Sequence, residues 1–111
     1  IGMRIELFGE LPEDTDLRKV FLIAIRECLT NGVRHADATL IHAEIVRKNK
    51  SILLYITNNG KPPEGVVVPK GGLLNLLRYV ADCGGKMKIE SLPQYVLSIE
   101  LPLKNGEIEK E

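Results

Sequence analysis

Glu27, Asn31 and His35 follow one another at intervals of four residues, with Arg34 beside the last of them. On a helix that spacing sets a carboxylate, an amide oxygen and an imidazole along one stripe, with a guanidinium at its edge, so that all of them can meet one ligand. A solvated stripe on an amphipathic helix has the same pattern. Two features favour a ligand: Gly32 costs a helix about 1 kcal/mol relative to Ala, and Asn31 is a poor helix former beside it. A helix that keeps both needs the close approach of something. A second group lies downstream, where Asn58, Asn59 and Gly60 close a strand-like run and Gly71 and Gly72 open a helical one after the ten residues Lys61 to Lys70. Glycines at a helix start let backbone amides approach phosphate oxygens, which the helix dipole also favours. Each turn alone reads as an ordinary turn or loop breaker. Their joint order with the stripe is less easily accidental.

The elements that must position these residues follow from the apolar periods. Met3 to Phe8 sets Arg4 and Glu6 against Ile5 and Leu7, a strand alternation that ends at Pro12. Asp14 or Asp16 caps the main helix, Leu17 to about His35, whose apolar residues Leu17, Val20, Phe21, Ala24, Cys28 and Leu29 recur at three and four. Ala38 to Arg47 and Ser51 to Thr57 read as strands joined by a hairpin turn at Lys48, Asn49 and Lys50, with Ile52, Leu54 and Ile56 on one face. A loop begins at Asn58. The second helix carries Leu73, Leu76, Leu77, Val80 and Ala81 and stops at Gly84 and Gly85, where a left-handed residue can close it. Lys86 to Glu90 alternates with Met87 and Ile89 inward, and Leu97, Ile99 and Leu101 form the inward set of a last strand ending at Pro102. The expected fold is α+β, a two-layer sandwich of a mixed, mostly antiparallel sheet with its helices on one face. Residues 3–103 make one domain, and Lys104 to Glu111 a polar tail expected to fray.

Composition sets the outer bounds. The 111 residues carry 15 Lys plus Arg against 15 Asp plus Glu, a balance that argues against nonspecific nucleic-acid binding. The length supports one core without metal or disulfide staples. No apolar run approaches the roughly 18 residues of a membrane span, and no signal peptide opens the chain. The start at Ile1 and Gly2 suits an excised piece of something longer. Cys28 and Cys83 sit in apolar segments without metal-ligand spacing and read as reduced core thiols, which fits a cytoplasmic setting. Neither His35 nor His42 has partners spaced for zinc.

With these motifs in place, the chain resembles the ATP-binding domain of bacterial sensor histidine kinases, the Bergerat fold shared with gyrase and the heat-shock chaperone ATPases. Glu27 to Ala36 is similar to the N box, Ile56 to Gly60 to the first glycine box, and Gly71, Gly72 and Leu73 to the second. The stretch from Leu74 to Pro102 is similar to the closing part of the domain, so the resemblance covers Met3 to Pro102. It is nearest to the short-lid subgroup, in which Glu heads the N box and His follows its basic position.

The resemblance implies roles. Asn31 offers its amide oxygen to Mg2+, Arg34 contacts phosphate oxygens, and Glu27 orients a metal-bound water or helps take the proton from an incoming phosphoacceptor histidine. Asn58, Gly60, Lys70, Gly71, Gly72 and Leu73 complete the nucleotide site. His35 is either a neighbour of the nucleotide or a helix-end cation near carbonyls; His42 is a surface residue. The phosphoacceptor lies on an upstream dimerisation hairpin outside this chain, as does any membrane anchor. The loop from Lys61 to Lys70 serves as a lid hinged at Gly60, Gly65, Gly71 and Gly72. Departures from the family pattern cluster around the base: Asn58 stands where an Asp accepts the adenine amino proton, Lys70 and Pro62 where Gly is common, and Gln94-Tyr95 where Gly-Thr is usual. The expected function is Mg-ATP binding for phosphoryl transfer to a histidine, with a response regulator as the downstream partner. An anti-sigma-type serine kinase and a degenerate noncatalytic module are the alternatives.

Overall fold

The computed structural model describes residues 3–104. Seven elements follow in order: β1 (Arg4–Phe8), α1 (Thr15–His35), β2 (Leu40–Arg47), β3 (Ser51–Asn58), α2 (Gly72–Asp82), β4 (Lys86–Glu90) and β5 (Val96–Pro102). They form one five-stranded sheet in the order β1-β2-β3-β5-β4. Only β1 and β2 run parallel, because α1 lies between them in sequence and carries the chain back to the same end. The other three pairs are antiparallel. This is the α+β fold expected from the periods.

The inward columns of the sheet form the floor of the core. Ile41 and Ala43 of β2, Ile52, Leu54 and Ile56 of β3, and Leu97, Ile99 and Leu101 of β5 are all fully buried or nearly so. Leu17, Val20, Phe21, Ala24 and Cys28 of α1 and Leu73, Leu76 and Val80 of α2 close over them. Each fully buried large side chain contributes about 1.5–3 kcal/mol relative to exposure, so this one layer accounts for the cohesion of both helices with the sheet. Lys19 lies over the Tyr79 ring at 5.7 Å and ties α1 to α2 at the surface.

Local signals set the element ends. Asp14, of the two candidate caps, accepts from the backbone amides of Asp16 and Leu17 and starts α1. Gly84, at φ +75°, ends α2 by donating to the Ala81 carbonyl, and Gly85 donates to Val80. Lys48 closes the β2–β3 hairpin with a bond to the Ser51 carbonyl.

Four details differ from the sequence reading. Met87 and Ile89 are half-buried, since β4 is an edge strand that α2 covers only in part. Leu29 is also half-buried, and Gly32 takes the buried position on α1. His42 is half-buried on the open face, its ring 5.1 Å from that of Phe8. Lys104, the first residue of the expected tail, pairs with Asp14 at 3.2 Å and Asp16 at 3.3 Å; residues 105–111 lie outside the described residues. Among the described residues no helix is long and apolar enough to cross a membrane.

Candidate nucleotide cleft

One cleft of about 340 Å³ opens where the helix layer ends. Its floor continues the core columns. Thr57 and Val96 are the last residues that β3 and β5 pair with each other; one position further, Asn58 and Tyr95 fall on the helix-facing side by strand alternation, after Ile56 and Leu97. Both line the cleft. Glu27, Asn31 and His35 form one wall from α1, and Gly72 and Leu73 another from α2. Lys61, Pro63, Val67, Val68 and Lys70 of the connecting loop complete it.

The structure therefore gathers Glu27, Asn31, His35, Asn58, Lys70, Gly72 and Leu73 around one space. Arg34 is exposed on the last turn of α1 and does not line it. Gly60 and Gly71 border the cleft in sequence without lining it. The lining residues to which motif reading gave no role are Lys61, Pro63, Val67 and Val68 of the loop, and Tyr95 was singled out there only as a departure from the pattern. Nothing in their spacing marks them; they arrive through the path of the loop.

Three glycines explain how the walls come together. A Cβ on Gly72 would overlap both carboxylate oxygens of Glu27, so α2 begins directly against that side chain. Gly71, the N-cap, offers no side-chain acceptor, and the first turn of α2 has no acidic residue. Glu27 thus supplies negative charge beside an otherwise uncapped helix start. A Cβ on Gly60 would overlap the Ala36 carbonyl, and Lys61 donates its amide to that oxygen at 2.9 Å, which fastens the turn after β3 to the end of α1. Gly32 has a different reason from the one its type suggested. Its Cα faces the sheet, and a Cβ there would stand 3.1 Å from Ile41 Cδ1, so the close approach is helix to strand.

The adjacent asparagines divide the work. Asn59 Oδ1 accepts from the amides of Thr39 and Leu40 at 2.9 and 3.0 Å, and its Nδ2 donates to Thr39 Oγ1 at 2.9 Å. It braces the end of β3 to the start of β2. Asn58 Oδ1 accepts from the Gly60 amide at 2.8 Å and shapes the turn, while the side chain lines the cleft. Beneath the cleft, burial pushes the Cys28 thiol up to about 12, and burial likewise holds the Tyr95 hydroxyl well above the usual tyrosine range. Both keep their protons at neutral pH. Both cysteines are free; Cys83 is half-buried.

The sequence matches no protein-family model, and no curated protein matches it. Solved structures do match. The blue-light activated histidine kinase of Erythrobacter litoralis aligns with a TM-score of 0.74 at 15% identity, over 95% of this chain and 39% of that one. Histidine kinase AdeS of Acinetobacter baumannii aligns at 0.68 and 14% identity, over 93% and 55%. The ATP binding domain of PrrB from Mycobacterium tuberculosis aligns at 0.67 and 22% identity, over 91% and 82%. The chain thus spans well under two thirds of the first two proteins. At these identities the shared property is architecture: the chain has the α+β fold of histidine kinase ATP-binding domains.

Proposed function

We propose that the chain is the nucleotide-binding catalytic domain of a sensor histidine kinase, holding ATP with Mg2+ and presenting the γ-phosphoryl group to a histidine on a dimerisation hairpin of the full-length protein. One observation carries the reading: Glu27 and Asn31 from α1, Asn58 from the end of β3 and Gly72 from the start of α2 converge on one cleft. Its volume of about 340 Å³ lies within the range of small-molecule sites. Val68 lines it while 71% exposed, apolar surface that a bound ring would cover.

The donor set suits a magnesium nucleotide and not a stand-alone metal. Among the described residues no three His, Cys, Asp or Glu side chains are grouped to cage a cation. The lining offers the Glu27 carboxylate and the Asn31 amide oxygen, and Mg2+ characteristically keeps waters and takes further ligands from phosphate. Bound there, the cation would neutralise phosphate charge. Asn31 would hold it, with Lys61 and Lys70 facing phosphate oxygens. Glu27 would orient a water or receive the proton of an incoming imidazole. Arg34, outside the lining, would act on phosphates that project from the cleft. Phosphoryl transfer depends on such positioning and charge neutralisation, so the chain by itself binds nucleotide, and transfer needs the acceptor helix.

Calorimetric titration of ATP with and without Mg2+ tests this. Binding is expected to require Mg2+ and to weaken about tenfold, the equivalent of about 1.4 kcal/mol, in Asn31→Ala. Absence of binding at millimolar ATP would leave a noncatalytic module on the same fold.

A further inference from the structure

We propose that Asn58 turns a hydrogen-bond donor toward the base from the floor of the cleft, and that the site therefore takes 6-oxopurine nucleotides at least as well as adenine nucleotides. The inference rests on the nucleotide reading above and narrows it to a base class.

The orientation of Asn58 is set by its own turn. The Gly60 amide needs an acceptor and finds Asn58 Oδ1 at 2.8 Å, so the oxygen faces the turn and the amino group faces away from it. That amino group makes no hydrogen bond to any described residue, and the side chain lines the cleft. A ligand atom meeting it must be an acceptor. Tyr95, next along the floor, is 8% exposed, and its hydroxyl is buried beside the Cys28 thiol, out of reach of a ligand in the cleft. Glu27, the one carboxylate of the lining, is placed against Gly72 on the α2 wall.

Purines differ in what they show such a floor. On the edge that carries N7, adenine presents an acceptor and an amino donor, whereas guanine presents two acceptors, N7 and O6. Hypoxanthine shares the guanine pattern on that edge. The Asn58 donor matches an acceptor at position 6, and an adenine amino group placed there would face another donor with no partner for either. A carboxylate at position 58 would reverse the match, because it accepts and cannot donate when ionised.

ADP and IDP differ at position 6 and in the N1 proton that accompanies it, so they isolate this contact. Both are titrated with Mg2+ into the parent chain and into Asn58→Asp, which keeps an acceptor for the Gly60 amide. The parent is expected to bind IDP as tightly as ADP or more tightly. In the variant the ratio should move roughly tenfold toward ADP, the scale of one well-placed base-edge contact. A parent that prefers ADP tenfold or more overturns the inference and leaves the nucleotide reading standing. An unchanged ratio in the variant removes Asn58 as the reader. Binding of neither nucleotide overturns the underlying reading as well. If the variant does not fold, the parent's own ratio still decides.

Discussion

The carboxylate of Glu27 fills the space that a side chain on Gly72 would need, and through this contact α1 and α2 meet at the cleft. The obstacle to a larger residue at 72 is the far end of a flexible side chain, so Gly72→Ala displaces Glu27 at little cost to the fold. Ala also restores up to about 1 kcal/mol of helix propensity. The expected result is a denaturation midpoint close to that of the parent together with Mg-nucleotide affinity lowered about tenfold, since both Glu27 and the approach to the α2 amides are disturbed. Thermal melts and calorimetry on the same sample read both. A large loss of stability would show that the Glu27 side chain cannot move aside.

Gly60→Ala should behave in the opposite way. There the added Cβ meets the Ala36 carbonyl and Cβ, main-chain and rigid atoms at the end of α1. Relief requires the β3 turn to lift from α1 and the bond from the Lys61 amide to Ala36 to lengthen. Overpacking of this kind costs about 1–3 kcal/mol, which a urea titration would detect as a lower midpoint without ligand present.

The start of α1 carries a pH-dependent contribution. The backbone amide of Leu17 and the ammonium of Lys104 hold the Asp14 carboxyl below its ordinary value of 3.8. A depressed acid adds stability that is complete above the unfolded value and is lost as pH falls through the lower folded one. Asp14→Ala is therefore expected to lower the melting temperature at neutral pH, and the gap from the parent should narrow on acidification below 3.8, to what the uncharged cap still contributes. Asp14→Asn retains a capping acceptor without the charge and should melt above Asp14→Ala at neutral pH. A gap between Asp14→Ala and the parent that stays constant from pH 7 to strong acid would contradict the assignment.

The layers of this fold were legible because burial follows period. Leu17, Val20, Phe21, Ala24 and Cys28 are spaced as a helix face, and Ile52, Leu54 and Ile56 as a strand face, and each set is buried on the side its spacing demands. The stripe of Glu27, Asn31 and His35 was legible for the same reason. Long-range placement was not. Gly32 looked like a ligand approach and proves to be room for Ile41; its residue type alone does not say which partner comes close. Arg34 neighbours the stripe in sequence but turns to solvent beyond the lining. Tyr95 and Val67 reach the cleft because β5 and the loop end beside it, which no local pattern encodes.

Asn58 and Asn59 offer the sharpest separation of fold from site, because they are chain neighbours of one chemical type. Asn59 satisfies two backbone amides and donates to a hydroxyl. Its replacement by Ala removes three hydrogen bonds at an exposed position where water can substitute in part. A net loss of about 1–2 kcal/mol follows from roughly 0.5–1.5 kcal/mol per bond, discounted for solvation. Asn58→Ala loses one bond, to Gly60, so its stability cost should be the smaller. Affinity for IDP should rank the other way, with Asn58→Ala weakening it and Asn59→Ala leaving it near the parent value wherever the chain is folded. Urea midpoints and IDP titrations on the two variants give the four numbers required. If both variants lose affinity in proportion to stability, Asn58 is a turn residue and the cleft floor does not read the base.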